Sequence, residues 1–329
     1  MVFHMNVSPI ALEGAPRWLW TLWISTSIVS VAAAAVAPIM AFVLMISAFG
    51  LPHVLYELRY VDERFSARIS PAPLAAIGVL IALIASARIA NGMHILMGEA
   101  FLWIELGLGA ALALTATAVM PRNKLLGAVV GMIFALGAIF APIPTFLVWA
   151  WLHNLTPLGF VAEITEGDER RRWLLMLSVP FFVLPALVAT GVFHDLANTL
   201  FTVAELQWMS AFGAGEKPLL SFLPPDSWDL NLFSAAVVAQ SMHYVAVIVL
   251  LPHLLRAKQR TPAPTIVQWP SWPVFAFAVA VIAALAFGIY AVSYTDARAA
   301  YGVAAAIHAW IELPILLLAL GQGLTSAHK

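Results

Sequence analysis

Of the 329 residues, 62% are apolar and only 10% charged, too few polar groups to cover a water-soluble globule, so the chain reads as an integral membrane protein forming one domain over 1–329. Sixteen lysines and arginines nearly cancel 17 aspartates and glutamates, and with no basic stripe nucleic acid is not an expected partner. The absence of cysteine excludes disulfides, iron–sulfur clusters and thiolate zinc sites, and leaves nine histidines and the carboxylates to bind any metal.

The expected fold class is all-α, a polytopic membrane bundle of about eight or nine transmembrane helices. Met1 to Arg17 lacks the pattern of a cleaved signal and reads as a retained leader. The apolar run Trp18 to Leu51 predicts an interfacial stretch with Trp18, Trp20 and Trp23, then a first crossing at about 30–53. Arg59 to Ser70 reads as a polar loop, and a second run covers about 73–90 until Asn91-Gly92 breaks it. A third run continues from about Met93 to Met120. Lys124 to Glu163 has room for two crossings with a turn at Pro142 and Pro144. The charged stretch Glu166 to Arg172 reads as a solvated loop before a helix from Trp173 to about Asp195. Residues 198–230 are Pro-rich and acidic, an extramembrane loop; three more helices are expected at about 231–255, 272–294 and 299–321. Positive residues cluster after Met120, at Arg170 to Arg172 and at Arg256 to Arg260. That asymmetry puts these loops in the cytoplasm and 198–230 outside, as in a bacterial inner membrane. No internal repeat is evident.

An ionisable side chain within hydrocarbon costs roughly 2.5–3.5 kcal/mol, so such residues are functional candidates by default. His53 is followed four residues later by Glu57, His308 four later by Glu312, and His94 five later by Glu99. Spacing of four puts imidazole and carboxylate on one helix face. His243, at the centre of its helix, supplies another imidazole, and His153 reads either as a ligand or cavity-lining group or as a structural hydrogen-bonding one. Neutral imidazoles bind Fe, Cu or Zn, and a carboxylate on the second ring nitrogen fixes the tautomer, the role expected of Glu57, Glu99 and Glu312. Carboxylates bound directly would instead move the site toward the di-iron type. The bland reading of each histidine is a hydrogen bond to a neighbouring helix, and Glu57, beside Arg59, could reach the interface. His194 and His253 read as interfacial, and His4 and His328 are terminal.

Phe49-Gly-Leu-Pro-His53-Val-Leu-Tyr-Glu57 resembles the Gly-Leu-Pro-His-Gly-Ala-Leu-Asp segment of the Brp/Blh membrane β-carotene 15,15'-dioxygenases. His94-Ile-Leu-Met-Gly-Glu99 is similar to that family's His-Phe-Gly-Met-Ala-Asp, His243 falls where its third histidine segment would, and Ile307-His308-Ala-Trp-Ile-Glu312 is similar to its final histidine segment. The resemblance implies an Fe(II), non-haem oxygenase that cleaves a carotenoid-like, lipid-soluble substrate with dioxygen, with His53, His94 and His243 as ligands. Where the family has a further histidine four residues past the third, this chain has Val247, which leaves the fourth ligand to His308 or His153. Glu also replaces Asp, and Val54-Leu55 replaces Gly-Ala, so another lipid substrate is open. Trp103, Trp151, Tyr244 and Trp310 are candidates to line an apolar tunnel. The rival readings are a b-type cytochrome, a proton-coupled transporter using the His and Glu residues, and a structural membrane protein.

Overall fold

The computed structural model describes residues 16–120, 122–200, 230–258 and 264–321. The expected loop at 198–230 lies, except for its ends, outside the described residues, as do His4 and His328. Among the described residues the chain is helical throughout, without strands. The helices are α1 (Arg17–Val36), α2 (Pro38–Arg68), α3 (Pro71–Gly92), α4 (Glu99–Val119), α5 (Lys124–Phe140), α6 (Pro142–His153), α7 (Thr156–Ile164), α8 (Gly167–Ala189), α9 (Val192–Leu200), α10 (Leu230–Lys258), α11 (Trp272–Val292) and α12 (Tyr294–Gly321). Eight of them, all but α5, α6, α7 and α9, are long and apolar enough to cross a membrane, and α5 is a shorter apolar helix. Large side chains such as Phe140, Phe277 and Val292 are 72–89% exposed, as expected where the surrounding solvent is lipid.

Several boundaries differ from the sequence reading. Pro38 does not lie inside one crossing: the backbone breaks at Ala37 (φ −149°, ψ 69°), and the first apolar run becomes two helices. Arg59 to Arg64 is not a loop but the last turns of α2, and Asp168 to Arg172 opens α8. The chain after Pro142 makes two short helices rather than one crossing. α6 has 12 residues, about 18 Å against a hydrocarbon core of about 30 Å. It ends at His153, whose carbonyl accepts from the Thr156 hydroxyl (2.7 Å), and Pro157 then starts α7.

Three of the long helices contain a π turn, at Ile46–Gly50, Val179–Val183 and Ala246–Leu250. Each centres on the residue four before a proline: Ala48 before Pro52, Phe181 before Pro185, Ile248 before Pro252. A proline ring clashes with the carbonyl four residues back and leaves it without its N–H partner; widening that turn relieves both. Two of these turns flank the polar centre, one just before His53 and one just after His243.

Packing is organised on α12, which contributes to two apolar cores. Ile315 and Ala319 join Tyr60, Phe160, Leu177 and Leu250 of α2, α7, α8 and α10. Trp310, Leu313 and Leu317 join Ile84, Leu106, Phe134 and Trp149 of α3 to α6. At the end of α2, Asp62 accepts from the backbone N–H groups of Ile266 and Val267 and from Trp269 Nε1 (2.8–3.0 Å), while the Arg59 guanidinium lies 3.8 Å from the Trp272 ring centroid. Glu163 of α7 accepts two bonds from Arg64 and one from Arg68. These partners hold a charged stretch in helical form.

Candidate metal centre

Four helices deliver one imidazole each to a common point. His53 on α2, His153 at the end of α6, His243 on α10 and His308 on α12 offer ring nitrogens that all lie within 4.8 Å of one another. His53, His243 and His308 are buried, and the His153 side chain is 12% exposed. His53 Nε2 stands 3.0 Å from His308 Nε2, and His308 Nε2 stands 3.1 Å from His153 Nε2.

The tautomers follow from the other ring nitrogens. His53 Nδ1 faces the Phe49 carbonyl (3.2 Å) and His308 Nδ1 the Ala304 carbonyl (3.4 Å), both one turn back on the same helix. A carbonyl only accepts, so each Nδ1 carries the proton and donates, and each Nε2 is a bare lone pair. His153 Nδ1 donates in the same way to Glu312 Oε2 (2.6 Å), which leaves its Nε2 bare. Three lone pairs thus meet with no proton among them, a repulsive arrangement unless a cation sits between them. Metal–nitrogen bonds of about 2.0–2.1 Å put adjacent ligands about 2.9–3.4 Å apart in octahedral or tetrahedral geometry. The two observed spacings match that range.

The carboxylates add to the case. Glu57 and Glu312, with His243, form a second set of three whose ligand atoms lie within 4.8 Å. All three side chains are fully buried, and His243 Nε2 is 3.7 Å from Glu57 Oε2. Both oxygens of Glu57 and Oε1 of Glu312 have no hydrogen-bond partner, and His243 bonds no other side chain. Buried polar atoms are almost always satisfied, and three orphaned carboxylate oxygens beside an imidazole lone pair are donors that a cation would match.

Two expected site residues are not brought here. α3 ends at Gly92, and the chain turns with His94 at φ 57° and Gly98 at φ 64°, so His94 is exposed beyond a helix end. Glu99 is the exposed first residue of α4, where a carboxylate suits the helix dipole. Glu57 does not reach out beside Arg59, which pairs with Glu63 instead. His194 bonds Ser234 Oγ (2.9 Å), and His253 packs edge-on to Trp18. Of the four aromatic candidates, Tyr244 stacks on the His53 ring with centroids 3.9 Å apart, and Trp310 stacks on Trp149, one turn before His153. Trp103 is 49% exposed, and Trp151 is half-buried away from these stacks.

Sequence reasoning passed over Arg88 and Glu105, although the rule that intramembrane charges matter applies to both. Glu105 Oε1 accepts from Arg88 (2.6 Å) and from Trp310 Nε1 (2.7 Å), binding α3 and α4 to the side of α12 opposite His308 and Glu312. Gly109 makes this approach possible, because a Cβ there would lie 2.1 Å from Trp310 Cζ3. Tyr301 was also missed: its hydroxyl bonds that of Tyr244 (3.1 Å), and its ring lies 2.9 Å from where a Cβ on Gly50 would be.

An open apolar groove of about 850 Å³ lies between α1, α8 and α9, walled by residues including Trp20, Trp23, Ile28 and Met176, with Ser27 and Arg172 as its polar members. Ser27 Oγ contacts Met242 Sδ (3.6 Å), the residue before His243.

Fold and site together define an integral membrane helical protein whose buried His/Glu cluster could hold a metal ion. In comparison with known proteins, no family model, no curated protein and no solved structure matches the chain.

Proposed function

We propose that this protein is a membrane-embedded non-haem oxygenase that uses Fe(II) held within the cluster of His53, His153, His243 and His308 to react a long apolar, carotenoid-like substrate with dioxygen. The observation that carries this reading is the meeting of imidazoles from four separate helices, three of them with facing bare nitrogens. Bound iron supplies the one-electron chemistry that lets dioxygen attack a carbon skeleton. The chain's own groups do the rest. The Phe49 and Ala304 carbonyls and the Glu312 carboxylate hold three rings in the ligating tautomer. Tyr244 fixes the plane of His53 from one side, and Met242, Val247 and Trp310, all buried, keep water from the neighbourhood.

A lipophilic substrate is supported by the site's depth in the bundle and by the apolar groove between α1, α8 and α9, whose Ser27 packs on Met242, the neighbour of His243. Cleavage of one carbon–carbon double bond by dioxygen gives two carbonyls, each taking one oxygen atom. The resemblance to the Brp/Blh dioxygenases favours β-carotene, and His153 and His308 take the two ligand places that His94 and Val247 leave open. The 3.0 Å between His53 and His308 nitrogens speaks against a haem, whose two axial nitrogens stand about 4 Å apart across the iron at bond lengths near 2.0 Å. The experiment is to incubate the purified protein in carotenoid-containing micelles under ¹⁸O₂. The expected product is an apolar aldehyde carrying ¹⁸O; no carotenoid loss and no dioxygen uptake across a panel of polyenes would defeat the proposal.

A further inference from the structure

The polar centre has two halves. His53, His308 and His153 form a chain of facing Nε2 atoms at 3.0 and 3.1 Å. His243 lies beside that chain without joining its close nitrogen contacts. Its ring meets those of His53 and His153 at centroid distances of 5.4 and 4.7 Å, and it hydrogen-bonds to neither. Its nearest ionic neighbour is Glu57, with Glu312 completing the second set.

A single ion on the four imidazoles would leave both oxygens of Glu57 and Oε1 of Glu312 unmatched in a fully buried interior. A carboxylate with no partner beside another with one bare oxygen is not a stable resting arrangement in a helical membrane bundle. We propose that the centre is dinuclear, with one divalent cation on His53, His153 and His308 and a second on Glu57, His243 and Glu312. An imidazole lone pair serves one ion, so giving His243 to the carboxylates leaves three nitrogens to the first ion and open positions for reactants. Glu312 links the halves: Oε2 accepts from His153 Nδ1, while Oε1 is free for the second ion. The donor sets also differ in kind. Three imidazoles suit Fe, Cu or Zn, whereas one imidazole with two carboxylates suits a harder ion such as Mn²⁺ or Fe²⁺. The four-imidazole cluster and the set of Glu57, His243 and Glu312 share His243 as a common member, and Glu312 of one bonds His153 of the other, so the two ions would be neighbours.

This deepens the metal-oxygenase reading and depends on it, so the test separates the two. Full-length protein in detergent is stripped with chelator, reloaded anaerobically with Fe²⁺ or with Mn²⁺ alone, desalted, and assayed for metal per chain by mass spectrometry. About two ions per chain are expected in the native sequence, about one in a Glu57→Gln/Glu312→Gln variant of unchanged size-exclusion profile, and a spin-coupled signal only in the former. One ion per chain in both proteins, with no coupling, overturns the dinuclear assignment and leaves a mononuclear site standing. No bound ion in either protein overturns both.

Discussion

Replacing Glu57 by leucine sets burial against metal binding, and the two effects have opposite signs. The carboxylate is fully buried, neither oxygen has a hydrogen-bond partner, and the nearest imidazole is 3.7 Å away. In metal-free protein it is an uncompensated polar group, and exchanging buried ionic groups for apolar ones of similar volume commonly stabilises by about 1–4 kcal/mol. Glu57→Leu is therefore expected to unfold at a higher temperature than the native sequence in the presence of chelator. With metal the carboxylate is a ligand, and its loss lowers affinity by at least about 10–100-fold. That is about 1.4–2.8 kcal/mol less metal-linked stabilisation. Thermal unfolding in detergent, with chelator and with saturating Fe²⁺, gives both numbers. Equal metal-induced increments in the two proteins, or a variant less stable under chelator, would refute the reasoning.

Other expectations concern the supports and the route to the site. Arg88→Met strands the Glu105 carboxylate beside Trp310 and is expected to cost about 3–5 kcal/mol, whereas Arg88→Met/Glu105→Gln recovers most of it; chemical denaturation in micelles checks the pair. Gly109→Val drives a side chain into the Trp310 ring and is expected to cost about 1–3 kcal/mol by the same assay. His94→Ala, at an exposed turn, is expected to leave bound metal unchanged by elemental analysis. Ile28→Trp obstructs the apolar groove and is expected to raise KM for a carotenoid several-fold in steady-state kinetics, at constant metal content.

What could be read from the sequence was the periodic part. His53 with Glu57 and His308 with Glu312 were visible because a four-residue spacing fixes them on one face of a continuous helix. His94 misled because its resemblance to a ligand segment outweighed Asn91-Gly92, which ends the helix before the imidazole is reached. Arg59 to Arg64 looked like a loop because its partners, Trp269 and Trp272 on one side and Glu163 on another, lie about 100–200 residues away, beyond any local pattern. The π turns were in principle legible from Pro52, Pro185 and Pro252, each four residues past the widened carbonyl. Arg88 and Glu105 needed only the same rule that picked out the histidines. Their joint meaning, an ion pair anchoring Trp310, depends on helix packing that no spacing encodes.

The central claim is that bare imidazole nitrogens surround a bound metal. X-ray absorption at the K-edge of iron bound to the purified protein tests it most directly. The account predicts several nitrogen neighbours at about 2.0–2.2 Å with the outer-shell scattering of imidazole rings, diminished in His308→Ala. An iron environment of oxygen atoms alone, identical in the variant, would contradict it.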